Sequence, residues 1–277
     1  MTPLSPYIES SISWLTTLSH LEGWASLSNQ PLTKETLESL LKGPGANRTV
    51  PSNFVQKALN YRSALFQVRQ EWTANPKTIK SEDIRILAKI LDVTFVHENE
   101  VESLLGYIQT GSVHPAVQAA ITHLYFYPNR LCYLTSQLVL NKYGYDFKHL
   151  VSLEDFWAQN KDRYLEVLKL ATTQGSITLW LEYYCQGVIN QLEKTYKLIS
   201  QPVSSPNRNL LSLSVLNSRQ KTILSLIDQP GSSITNRQIQ ANLQISQITA
   251  SRDLARLTKL NLIIPHGRGR SVSYSKL

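Results

Sequence analysis

The sequence predicts a mainly α protein in two parts: an all-α domain over residues 1–200 and a small α+β domain over 210–277, joined by a linker at 201–209. Three observations predict it. Through the first 200 residues apolar side chains recur every three or four positions, and strand-like alternation is nearly absent. The stretch Gln201-Pro202-Val203-Ser204-Ser205-Pro206-Asn207 holds two prolines and two serines, a linker composition. Charge divides at the same place. Residues 1–207 carry 18 Lys+Arg and 18 Asp+Glu, whereas residues 208–277 carry ten basic residues and two acids, Asp228 and Asp253, so the net +8 resides in the last 70 positions.

The helices follow in order, beginning with N-terminal helices within 7–74. After Pro51, with Ser52 as cap, Phe54, Ala58, Tyr61, Leu65, Val68 and Trp72 share one helix face. The core of the domain, about 81–200, opens with a helix over 81–91 that turns Ile84, Leu87 and Leu91 inward. The next, about 99–109, uses Val101, Leu104, Leu105 and Ile108. Pro115 starts a helix that runs through Val117, Ile121, Leu124 and Tyr125. Another covers about 131–143 and stops at Gly144. Ser152 is placed to cap a helix whose Asp155 suits the positive helix end, and a long helix runs from 176 to about 200. The tryptophans, Trp14, Trp24, Trp72, Trp157 and Trp180, are expected in the core.

Composition narrows the function. At 42% hydrophobic and 17% charged, the chain can bury a core. Cys132 and Cys185 lie 53 positions apart with no metal-ligand spacing around them, which argues against a disulfide framework or a zinc site and fits a reducing cytoplasm. No apolar run reaches the length of a membrane span, and the first residues lack a signal-peptide pattern. His97-Glu98-Asn99-Glu100 has no metal spacing, and Gly43-Pro44-Gly45 lacks the rest of a phosphate loop. The expectation is a cytoplasmic protein with no resident metal or cofactor.

Two segments in fixed order, His114-Pro115-Ala116-Val117-Gln118-Ala119-Ala120-Ile121-Thr122-His123-Leu124-Tyr125-Phe126 and Gln137-Leu138-Val139-Leu140-Asn141-Lys142-Tyr143-Gly144-Tyr145, carry a family resemblance. With 59–65 upstream and 152–156 and 180–184 downstream, the first 200 residues resemble the Fic (Fido) family, whose active members transfer AMP from ATP to a protein hydroxyl. The family motif between those two helices reads His-Pro-Phe-x-Asp/Glu-Gly-Asn-Gly-Arg-x-x-Arg. It implies a general base, an acid for Mg²⁺ and a backbone cradle for phosphates. In its place stand Tyr127-Pro128-Asn129-Arg130, with Tyr133 at the second Arg position. The His, the acid and the glycines are missing, so no catalytic residue is assigned, and Tyr127, Pro128, Asn129 and Arg130 form a degenerate loop. A tyrosine is a poor base near neutral pH. The connection 92–98 is also too short for the family's β-hairpin flap. Glu22 and Gly23 match the end of the family's inhibitory motif, but Leu18 replaces its Ser/Thr.

In the last 70 residues, Leu216–Ile227 reads as a helix with Ile223, Leu224 and Ile227 inward. Ser233–Asn242 reads as a second, and a third follows Ser246 to about Leu260 after a tight turn, the helix-turn-helix order. Two strands around His266-Gly267-Arg268-Gly269-Arg270 would make a wing. The segment 246–254 resembles the recognition helix of bacterial winged-helix regulators. Ala250, Leu254 and Leu257 face one way, and Arg252, Arg256 and Lys259 the other. The expected DNA-contacting residues are Gln247, Thr249, Ser251, Arg252, Arg256, Lys259, Arg268 and Arg270, with Asp253 a local ion-pair partner. The favoured function is a DNA-binding regulator that takes double-stranded DNA through its C-terminal domain and uses the Fic-like domain for sensing, docking or forming a homodimer. The resemblance leaves two alternatives: a protein adenylyltransferase with an atypical loop, using ATP and Mg²⁺, or a nucleotide-sensing module without chemistry.

Overall fold

A computed structural model describes residues 6–42, 51–73, 78–95, 98–109, 113–146, 149–200, 216–227, 232–260, 262–267 and 272–276. It forms two compact units. One is Thr16–Leu37 with Thr49–Lys197; the other is Leu198–Leu277 with Met1–Leu15 and Glu38–Arg48. The expected linker at 201–209 lies outside the described residues.

The first unit is built from α1 (Pro6–Leu27), α2 (Lys34–Lys42), α3 (Ser52–Thr73), α4 (Ser81–Leu91), α5 (Glu98–Gln109), α6 (Pro115–Phe126), α7 (Leu131–Lys142), α8 (Leu153–Gln159), α9 (Lys161–Gln174) and α10 (Thr178–Ser200), with the ends of α1, α2 and α10 running into the other unit. The α3 stripe of Phe54, Ala58, Tyr61, Leu65 and Val68 is buried as its spacing predicts, and so are Ile84, Leu87 and Leu91 of α4 and Val101, Leu104, Leu105 and Ile108 of α5. Trp14, Trp24, Trp157 and Trp180 are buried; the side chain of Trp72 lies outside the described set.

Two expectations fail in this unit. Helix α6 buries Phe126 at its end but not the other large apolar residues: Val117, Ile121 and Leu124 are half-buried and Tyr125 is exposed. It buries Ala116, Ala119 and Ala120 with the polar Gln118, Thr122 and His123. Small side chains let α6 lie close to α7, so shape outweighs hydrophobicity there. Ser152 does not cap α8, because its buried hydroxyl finds no partner in the hydrogen-bond network. Asp155 stands in the first turn of α8, as expected, and also receives Lys194 of α10 at 2.5 Å.

The C-terminal residues fold as α11 (Ser218–Leu226), β1 (Ser233–Thr235), α12 (Asn236–Leu243), α13 (Gln247–Lys259), β2 (Ile263–His266) and β3 (Ser273–Lys276). Side chains cap all three helices: Asn217 accepts from the Gln220 amide at 2.8 Å, Thr235 from Gln238 at 3.3 Å and Ser246 from Thr249 at 3.3 Å. The strands make one antiparallel sheet in the order β1-β3-β2, with Ile234 opposite Tyr274 and Pro265 opposite Tyr274 on the other edge. The expected helix over Ser233–Asn242 is thus corrected at its start. Ser233–Thr235 is a strand, because β3 needs a partner on its free edge and Thr235 already caps α12. Ile223, Ile227, Ile234, Ile239, Ala250, Leu254, Leu257, Leu262 and Ile263 form a single small core. Among the described residues no helix is long and apolar enough to cross a membrane.

Candidate functional site

The turn between α6 and α7 is where the sequence places the degenerate loop. His114 caps α6, its Nδ1 accepting from the Ala116 amide at 3.2 Å, and its Nε2 meets the Tyr145 hydroxyl at 2.8 Å. At the far end the Tyr127 amide donates to the His123 carbonyl at 3.0 Å. Asn129 then ties the turn together. Its amide donates to the Phe126 carbonyl at 2.7 Å, and its own carbonyl accepts from Cys132 at 3.0 Å. Its side-chain oxygen accepts from the Leu131 amide at 3.0 Å, and its side-chain nitrogen reaches the Thr94 carbonyl at 3.2 Å. Two of the backbone donors that open α7 are therefore used inside the turn, where an anion cradle would need them pointing outward.

Arg130 is half-buried, its guanidinium 5.4 Å from the Trp24 ring centre. Trp24 in turn stacks on Phe54 and Tyr61, each at 5.1 Å. Tyr133 packs edge-on to His123 at 5.6 Å and lies 5.7 Å from Trp157. His123 is enclosed by Tyr133, Trp157, Tyr164, Trp180 and Tyr184, with its Nε2 2.9 Å from the Tyr164 hydroxyl. Burial pulls its pKa from 6.5 down to about 3, so the ring is neutral.

Glu22 and Gly23 have structural partners. Glu22 lies 3.6 Å from Lys34, a solvated pair. Gly23 sits where α1 crosses the start of α8: a Cβ there would fall 2.5 Å from the Glu154 carbonyl oxygen and 2.7 Å from the Asp155 nitrogen. One turn away, His20 Nδ1 meets the Glu154 carboxylate at 2.7 Å, and the Tyr61 hydroxyl donates to the same carboxylate. Burial, then the neighbouring Glu154 charge, pushes the Tyr61 pKa well up. Glu154 is 2% exposed, a position the sequence reading passed over; nothing in a single sequence marks a carboxylate as buried. Beside it, Asp146 accepts from Gln137 at 3.0 Å and from the Val151 amide at 3.0 Å. Burial alone would raise the Asp146 pKa, yet hydrogen bonds from His149 and Gln137 hold it below the ordinary value. The crevice lined by Tyr133, Gln137, Asp146 and Glu154 is too narrow for a water-sized sphere, so this polar cluster holds helices together and offers no ligand space. Among the described residues no group of three or more His, Cys, Asp or Glu could hold a metal.

In the C-terminal module, α13 buries Ala250, Asp253, Leu254 and Leu257. Gln247, Ser251, Arg252, Arg256 and Lys259 are exposed, and Thr249 is half-buried. The Thr249 hydroxyl lies 2.9 Å from that of Ser246, and the Ser251 hydroxyl accepts from Asn236 of α12 at 2.9 Å. Asp253 is locked beneath the helix: Arg219 pairs with it and Gln220 donates to it at 2.8 Å. Against the opposing effect of burial, those donors hold its pKa below the ordinary value. Arg268 and Arg270 lie outside the described residues. Ile248, 65% exposed, was missed by the sequence reading. It stands one helical turn before Arg252 and so shares the cationic face, a placement the 100° rule gives directly.

No protein-family model and no curated protein matches the chain. Its fold is similar to that of a Fic family protein from Desulfovibrio desulfuricans G20, with a TM-score of 0.53 at 13% identity over 100% of this chain and 97% of that one. The chain therefore has a Fic-like, mainly helical fold with a small three-stranded antiparallel sheet.

Proposed function

We propose that the chain is a DNA-binding regulator in which a winged helix-turn-helix reads double-stranded DNA and a catalytically silent Fic-like unit serves as its body. One observation carries the reading: the whole +8 of the chain lies in residues 208–277, and α13 turns Arg252, Arg256 and Lys259 outward while its acid, Asp253, is buried under Arg219. A helix with an apolar inner face and a cationic outer face fits a major groove. Cations there would meet phosphates, while Gln247 and Ile248, both exposed near its start, would reach base edges, Ile248 suiting a thymine methyl group. Arg268 and Arg270 fall in the sequence between β2 and β3, where a wing would lie.

The body is proposed to lack AMP transfer because the turn at 127–130 holds no carboxylate for Mg²⁺ and Asn129 occupies two of the backbone donors that open α7. Titrating the full chain against duplex DNA at several salt concentrations tests the reading. With about five phosphates contacted, log affinity falls against log salt with a slope of about −4 to −5. Replacing Arg252 and Lys259 by Ala lowers that slope by about 2. A flat salt response overturns the proposal. Labelled ATP with Mg²⁺ and cell lysate gives the second arm: transfer of label that disappears in Arg130→Ala would restore the transferase reading.

A further inference from the structure

The outward strip of α13 mixes cations with an apolar group. Ile248, Arg252, Ala255 and Lys259, spaced four, three and four residues apart, are all exposed. At 100° per residue they fall within an arc of about 60°, on the side opposite Ala250, Leu254 and Leu257. Ile248 is 65% exposed, more than any other large apolar side chain among the described residues. It adds nothing to the small core of the module and brings its helix no gain in propensity. The charges beside it are positive, and Asp253, the one acid of α13, is buried on the other side. The helix is also held from two directions. Asp253 takes Arg219 and Gln220 of α11, the second at 2.8 Å. Ser251 accepts from Asn236 of α12 at 2.9 Å, and Asn236 accepts in turn from Gln240 at 2.5 Å. The β-branched side chain of Ile248 has little rotamer freedom to lose on contact.

A fixed apolar group between cations suits an apolar mark on a polyanion. In the major groove that mark is the methyl group on pyrimidine C5, carried by thymine and by 5-methylcytosine. We infer that Ile248 reads a pyrimidine C5 methyl group, so that the module prefers duplexes that set such a base beneath the first turn of α13. Arg252 and Lys259 supply attraction that every duplex shares, because phosphates carry no sequence. Ile248 supplies contrast, because only some base pairs present a methyl group. The inference rests on the DNA reading proposed above and adds the base chemistry that the reading leaves open.

The test selects with the full chain from a duplex pool that has a random central segment. The selected duplex is then remade with uracil for thymine, one position at a time. Uracil removes one methyl group and keeps every phosphate and hydrogen-bonding group. At one position the change weakens binding about fourfold, the value of one buried methyl group. Ile248→Ala alters an exposed side chain and leaves the core intact. It binds with the same salt slope but no longer tells thymine from uracil there. Cytosine and 5-methylcytosine at the same position give the second arm. A gain of about fourfold on methylation supports the methyl group itself as the feature read, whereas a thymine effect without that gain supports thymine as its source. Salt-dependent binding with no enriched sequence overturns this inference and leaves DNA binding standing. So does indifference to the methyl group in both arms, or a thymine–uracil difference that survives Ile248→Ala. A flat salt response overturns the proposed function and this inference together.

Discussion

Gly23→Ala unfolds the helical unit or lowers its stability by at least about 3 kcal/mol, read as a shift in the urea midpoint. Two effects compete. In a helix interior Ala outranks Gly by about 1 kcal/mol, so propensity alone predicts a gain. The new methyl, however, would stand 2.5 Å from the Glu154 carbonyl oxygen and 2.7 Å from the Asp155 nitrogen. Those are backbone atoms at the start of α8, and they cannot turn aside as a side chain can. Moving them would also shift the Glu154 carboxylate from His20 and Tyr61, breaking buried hydrogen bonds. The steric cost wins. Gly106 provides the control: it is exposed on α5, and nothing lies within 4 Å of a Cβ built there. Gly106→Ala therefore gains up to about 1 kcal/mol. Equal effects at the two glycines would show that the close approach of α1 and α8 is wrong.

Acid is expected to remove stability through His123. In the folded chain its pKa is lowered to about 3 by burial, against 6.5 when free. Between those values the unfolded chain binds the proton and the folded chain does not, so stability rises with pH across that window. The contribution is complete above about 6.5 and is lost as pH falls toward about 3, and it amounts to roughly 5 kcal/mol over the whole window. Asp146, whose folded pKa is also lowered, acts with the same sign below the ordinary carboxylate value. Unfolding free energies of the wild type and His123→Gln, measured from pH 7 to pH 4, provide the check. The amide can still bond the Tyr164 hydroxyl but does not titrate, so the variant loses most of the slope. Parallel curves for the two proteins would disprove the assignment.

Much of this fold was legible in the sequence because periodicity and burial agree. On α3, α4 and α5 the large apolar residues are also the buried ones. Where burial is decided by shape, the sequence misleads. Helix α6 hides alanines and a histidine while leaving Tyr125 outside, since contact with α7 rewards small side chains. Strand β1 was unreadable for another reason: three residues, Ser233–Thr235, are strand only because β3, about forty positions later, pairs with them. At the candidate sites the missing family residues and the cationic face of α13 could be read from residue identity and helical angle. The roles of Asn129 and Glu154 could not, because each depends on partners distant in the chain, such as Thr94 and His20.

The reach of α1 has a consequence during synthesis. His20 bonds a carboxylate 134 residues downstream, and the carbonyl of Ser26 takes Lys161 at 2.7 Å, 135 residues downstream. The first helix therefore emerges long before the groups that cover it. At ordinary translation rates of about 5–20 residues per second, His20 and Ser26 wait roughly 7–27 s for Glu154 and Lys161 to appear. During that interval the first helix can meet α3, where Phe54 and Tyr61 stack on Trp24, but its α8 and α9 partners are absent, which leaves the early chain part-covered and open to chaperones. Destabilising changes in α8 will accordingly show first as poor yield of soluble protein, ahead of any fall in the melting temperature of the molecules that do fold.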